Sequence, residues 1–183
     1  MMLANFLLDL TANLLNLLAL KGNLPDEFSD VFDAETYKKS QDYTRTTTRF
    51  KIIQSTFVLA LILVFWFSGG LGTLDAYVYS WGFSAIQTGL LFIGILVLAQ
   101  SIIFLPFSIY GVFVIEERFG FNRTTPKTFV LDLLKKLTMG IALGGSMLAI
   151  ILYLFQYYGN FAWFYAWLAS TVFSLAVGFL GPR

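Results

Sequence analysis

The stretch IIQSTFVLALILVFWFSGGLGTL, residues 52–74, runs from Lys51 to Asp75 without a charged side chain. A helix crosses ~30 Å of hydrocarbon with ~20 apolar residues. This segment has an apolar core from Phe57 to Phe67 and closes on Ser68-Gly69-Gly70-Leu71-Gly72, so it predicts a transmembrane helix over residues 52–72. Beyond Asp75 a second charge-free run extends from Ala76 to Ile115, 40 residues. As one helix it would measure ~60 Å at 1.5 Å per residue, about twice the hydrocarbon thickness. Tyr77, Tyr79, Trp81 and Phe83 suit the membrane–water interface, which leaves a span over residues 86–110 with Pro106 bending it.

Toward the C-terminus, Leu137 to Pro182 is also free of charge, and Tyr157-Tyr158-Gly159-Asn160 divides it into antiparallel spans at 137–156 and 161–180. Ahead of them, Thr124-Thr125-Pro126 reads as an N-cap with proline in the first turn, where its missing N–H costs nothing. The helix it opens continues through the i,i+4 pair Asp132 and Lys136 into the membrane. At the other end, Asn5, Asp9, Asn13 and Asn16 fall on one helical face of Met1–Leu20. That segment is either a span whose polar stripe faces other helices or water, or an amphipathic helix in the interface. Interfacial helices usually carry Lys or Arg on the polar face, and this one has none, so the span at residues 3–20 is the preferred reading. A signal peptide is disfavoured, since no basic residue precedes the apolar ones and no small-residue cleavage site follows.

Composition agrees with an all-α, polytopic integral membrane protein of about five transmembrane helices, organised as a single multi-spanning domain over residues 1–183. The 183 residues are 57% hydrophobic and only 13% charged, against about 25% charged in soluble domains. Cysteine and histidine are both absent, which excludes thiol chemistry, a Ser-His-Asp triad and an H-E-x-x-H zinc site within these residues. A net charge of +1 offers no electrostatic case for nucleic acid. Lys21, Lys38, Lys39, Arg45, Arg49 and Lys51 sit in one polar segment, 21–51, and Arg118, Arg123, Lys127, Lys135 and Lys136 in another, 116–136; Arg183 is the last basic residue. Crossing the membrane at each span puts all of them on one face, which the positive-inside rule makes cytoplasmic, with the N-terminus outside.

Few side chains offer chemistry. Glu116-Glu117-Arg118 invites comparison with intramembrane glutamate proteases, but no histidine completes such a site. The spacing of Glu116, Glu117 and Asp132 resembles no metal coordination loop. The stripe Asn5, Asp9, Asn13 and Asn16 either faces a hydrated cavity or satisfies interhelical hydrogen bonds. Gly140 and Gly144 form a G-x-x-x-G pair that permits close helix packing. The aromatics from Tyr77 to Phe83 and Tyr157 to Trp167 suit interfacial belts better than a groove for a lipid tail.

Two polar segments carry a resemblance. Pro25-Asp26-Glu27-Phe28 with Glu35-Thr36-Tyr37-Lys38-Lys39-Ser40-Gln41-Asp42-Tyr43-Thr44 resembles the first cytoplasmic loop of the type I CAAX prenyl endopeptidases. Glu117-Arg118-Phe119-Gly120-Phe121-Asn122-Arg123-Thr124-Thr125, leading into Phe129-Val130-Leu131-Asp132, is similar to that family's second. The resemblance implies an integral membrane zinc metalloprotease that removes the last three residues of prenylated CAAX proteins, with helices around a large hydrated chamber. In that family an H-E-x-x-H helix and a later glutamate hold zinc and activate water. This sequence reaches Gly181-Pro182-Arg183 where the family continues into its catalytic part, so no catalytic or zinc residue carries over. Zinc is implied for that part alone, and the chain by itself is expected to be inactive. Two functions follow as expectations. One is an N-terminal membrane domain whose loop Glu117, Arg118, Phe119, Gly120, Phe121 and Asn122 docks a catalytic zinc-protease domain, with prenylated CAAX proteins as substrates and the bilayer as surroundings. The other is a stand-alone, non-enzymatic scaffold or lipid-binding module.

Overall fold

A computed structural model describes residues 1–20 and 33–180, and all regular structure among them is helical. Helix α1 is Met2–Ala19, α2 is Ala34–Phe67, α3 is Gly70–Tyr79 and α4 is Ala85–Tyr110. A π-helical turn, Gly111–Glu116, continues α4 into the single-turn α5, Glu117–Phe119. Helix α6, Pro126–Met139, passes through a second π-helical turn, Gly140–Gly145, into α7, Ser146–Tyr157, and α8 is Ala162–Leu180. Among the described residues five helical stretches are long and apolar enough to cross a membrane: Met2–Ala19, Ala34–Phe67, Ala85–Phe119, Pro126–Tyr157 and Gly159–Phe179. Five spans and an all-helical fold are what hydropathy predicted. The first-loop residues Lys21 and Pro25 to Phe28, and the C-terminal Gly181 to Arg183, lie outside the described residues.

Boundaries differ from the hydropathy reading for local reasons. The second helix begins at Ala34, well inside the segment read as loop, because Asp33 caps it: its carboxylate accepts from the Thr36 backbone N–H at 2.9 Å and from the Thr36 hydroxyl at 3.0 Å. These bonds, the backbone one first, hold the Asp33 carboxyl below the usual carboxylate range. That helix stops at Phe67 rather than residue 72. Gly69 turns the chain with φ +75°, and Gly70 starts α3, so Asp75 to Tyr79 is helical and not an aromatic turn. The helix of the third span continues past Tyr110 through Phe119, and α4 stays helical across Pro106. Thr125 caps α6 as predicted, its hydroxyl accepting from the Thr128 N–H at 3.2 Å.

The chain divides into two compact units, Met1–Leu71 with Ile102–Arg123, and Gly72–Ser101 with Thr124–Arg183. In the first, α2 carries Tyr43, Phe50 and Phe57 seven residues apart, a spacing that returns to nearly the same helix face. Phe57 meets Phe107 with ring centroids 5.4 Å apart, and Phe50 meets Tyr110 at 5.2 Å. The described neighbour of α1 is α2, and its half-buried positions are Met2, Phe6, Leu10, Asn13 and Leu17. In the second unit α7 and α8 form a hairpin through Gly159, φ +51°. Ala162 and Ala166 are buried there, one turn apart on α8, since small side chains let helices approach closely. Gly89 of α4 serves the same end, because a Cβ there would stand 2.9 Å from Leu152 Cδ1 of α7. Most large apolar side chains remain exposed, Leu8, Trp66, Ile102 and Phe179 among them, as a lipid-facing surface requires.

Candidate functional site

A cluster of polar and aromatic side chains forms where the N-terminal part of α2, at Lys39 and Tyr43, meets α5 and the turn after it. Gly120 ends α5 in the left-handed region, φ +74°, with its N–H donating to Glu117 O at 3.0 Å. The turn this creates brings the Phe121 N–H back to Glu116 O at 2.9 Å, and Asn122 Nδ2 donates to Glu117 Oε2 at 2.9 Å. Phe119 and Phe121 thereby flank one ring: Tyr43 meets the first edge-on at 5.4 Å and the second at 4.8 Å. Two cations complete the cluster. Lys39, one helical turn before Tyr43, sits 5.8 Å from the Phe121 ring, and Arg118 sits 5.8 Å from the Phe119 ring.

The segment Glu117 to Asn122 therefore has a partner within its own unit. Phe119 is buried, whereas Phe121 keeps 52% of its surface exposed, and Glu117, Arg118 and Gly120 are exposed beside it. Hydropathy did not find Tyr43, although the seven-residue recurrence Tyr43, Phe50, Phe57 was a readable signal. Of the polar stripe on α1, Asn13 is half-buried while Asn5, Asp9 and Asn16 are exposed. A period of 3.6 residues sets the stripe about 60° from the half-buried positions, on the shoulder of the face that packs. Gly140 and Gly144 have open space where a Cβ would stand, so no described neighbour makes the close approach this pair permits.

Among the described residues no group of three or more Asp or Glu side chains could hold a metal ion. The donor set does not fit zinc, and no step through a metal is assigned to these residues.

Comparison with known proteins extends the picture. Residues 14–183 match the family described as CAAX prenyl protease N-terminal, five membrane helices. The chain is 33% identical over 153 residues to CAAX prenyl protease 1 of Saccharomyces cerevisiae, covering 77% of this chain and 34% of that protein. It is 32% identical over 171 residues to the probable CAAX prenyl protease 1 of Schizosaccharomyces pombe, with 86% and 36% covered. The crystal structure of S. mikatae Ste24p superposes with a TM-score of 0.88 at 28% identity, over 96% of this chain and 42% of that one. The chain spans about a third of the length of these curated relatives. Five membrane helices in the expected order, the family match from residue 14 onward and the shared backbone lead to one conclusion: this chain belongs to the CAAX prenyl protease N-terminal family.

Proposed function

We propose that this chain is the N-terminal membrane part of a prenyl protease, holding in the bilayer a zinc-binding catalytic part that lies outside these 183 residues. The observation that carries the reading is the family match over residues 14–183 with the 0.88 superposition on Ste24p. In this reading the substrates are prenylated CAAX proteins, the zinc comes with the catalytic part, and both basic segments face the cytoplasm. The exposed side chains of the α5 turn, Glu117, Arg118 and Phe121, are the docking contacts with the half-buried Asn122 bracing Glu117, while Phe119 holds the turn onto Tyr43. The stripe Asn5, Asp9, Asn13 and Asn16 lines part of a hydrated chamber, and Gly140 and Gly144 admit a further helix.

The test joins this chain to the region of the S. cerevisiae relative that follows the matched part. Release of the C-terminal tripeptide from a prenylated CAAX peptide is expected only when both parts are present. A joined protein that inserts, binds zinc and leaves the peptide intact would favour the stand-alone scaffold instead.

A further inference from the structure

Tyr77, Trp81 and Phe83 lie where α3 gives way to α4, on the connection between the spans Ala34–Phe67 and Ala85–Phe119. Hydrogen bonds fix both ends of this connection. The Ser80, Trp81 and Gly82 amides close α3 by donating to Ala76, Val78 and Tyr79 O at 3.1, 3.2 and 3.1 Å, and the Ser80 hydroxyl donates to Tyr77 O at 2.6 Å. Gly82 then turns the chain with φ +71°. On the far side Ser84 and Gln87 cap α4 reciprocally, the Ser84 N–H donating to Gln87 Oε1 at 3.1 Å and the Gln87 N–H to Ser84 Oγ at 3.4 Å. The rings held between these caps stand nearly at right angles. Tyr77 meets Trp81 at 71° with centroids 5.3 Å apart, and Trp81 meets Phe83 at 82° and 6.3 Å. With 61%, 43% and 51% of their surfaces exposed, the three form an open, pre-set aromatic corner.

We infer that this corner binds the quaternary ammonium of a choline phospholipid, with Trp81 as the principal face and Tyr77 and Phe83 as walls. Aromatic faces are electron-rich and attract cations, tryptophan most of all. The surroundings carry the same sign. Asp75, one turn before the end of α3, is the only charged side chain between Lys51 and Glu116, so no base competes for the rings and an anionic headgroup is repelled. The C-terminal end of α3 adds the negative pole of its dipole. A primary ammonium needs acceptors for its N–H groups, but the carbonyls of Ala76, Tyr77, Val78 and Tyr79 already accept. A quaternary ammonium has no N–H to satisfy. Because the connection joins two membrane spans, it emerges at a bilayer surface, where lipid headgroups stand and a soluble cation is dilute. An interfacial belt asks only for amphipathic rings, whereas the right angles, the carboxylate and the absence of a base are features of cation recognition. The inference needs the membrane spans alone and not the prenyl-protease reading.

Native mass spectrometry tests the site on the full chain, delipidated in detergent and given equal amounts of phosphatidylcholine, phosphatidylethanolamine and phosphatidylglycerol. Phosphatidylcholine is expected to be retained about three- to tenfold over the other two. Tryptophans bearing progressively more ring fluorines in place of Trp81 keep the ring while draining its face of electron density, so the fold is preserved and the preference should fall stepwise along the series. Trp81→Leu should abolish it, and Tyr158→Leu, at the α7–α8 turn, should leave it unchanged. Equal retention of the three lipids, a preference for phosphatidylglycerol, or a preference that survives Trp81→Leu or stays flat along the fluorine series overturns the inference.

Discussion

Tyr43, on the capped end of α2, meets Phe121 edge-on at 4.8 Å across a gap of 78 residues in sequence. Phe119 stands at 5.4 Å from the same ring, so one tyrosine joins the two segments that carry the family resemblance. The pairing is of the edge-to-face kind, worth ~0.5–1.5 kcal/mol per pair beyond area burial.

Tyr43→Ala removes both ring contacts and is expected to lower stability by ~1–3 kcal/mol. Thermal unfolding in detergent reads this as a lower Tm. Tyr43→Phe, which keeps the ring, should stay near the parent value, and equal losses in both variants would assign the effect to the hydroxyl.

Arg118 and Phe119 are adjacent but differently placed, one exposed and one buried. In the joined protein Arg118→Ala should reduce proteolysis, on the order of 1–3 kcal/mol of docking, while the Tm hardly moves. Phe119→Ala should reduce activity and Tm together. Unchanged activity in both would make the α5 turn a connector rather than a contact surface.

Gly120 adopts φ +74°, a region that costs a β-carbon ~1–2 kcal/mol. Gly120→Ala should lower the Tm accordingly, and Gly120→Asn should recover part of the loss because asparagine tolerates this region. The order of the two variants in a melting series decides the point.

Asp33 has a folded-state pKa below its unfolded value, through the hydrogen bonds from Thr36. A depressed carboxylate contributes its cap fully above the unfolded pKa, about 4, and loses it as pH falls through the folded value. The Thr36 amide resonance should therefore shift with a midpoint below about 4. In Asp33→Asn that titration should vanish, and a midpoint at or above the unfolded value contradicts the cap.

Topology is open to direct measurement because the sequence has no cysteine. Ser40→Cys and Thr124→Cys should react with an impermeant thiol reagent only from the cytoplasmic face, and Ala76→Cys and Asn160→Cys only from the other. Labelling of Ser40→Cys and Thr124→Cys from opposite faces would remove the one-sided arrangement of basic residues.

The sequence by itself determined the class and its five apolar crossings, because hydrocarbon thickness leaves a direct imprint on the length and charge of each segment, while the resemblance to the family was carried by the two polar loop motifs. It also located the Thr125-Pro126 helix start, since capping is a matter of adjacent residues. Helix length beyond the bilayer was not legible in the same way. Hydropathy falls to zero signal at Lys51, while the helix continues back to Asp33 because a cap and not apolarity sets its start. The α5 turn was legible as a motif but not as a contact. Only tertiary structure decided that Phe119 is consumed by Tyr43 while Phe121 stays half open, because ring against ring across 78 residues depends on two long helices being brought side by side.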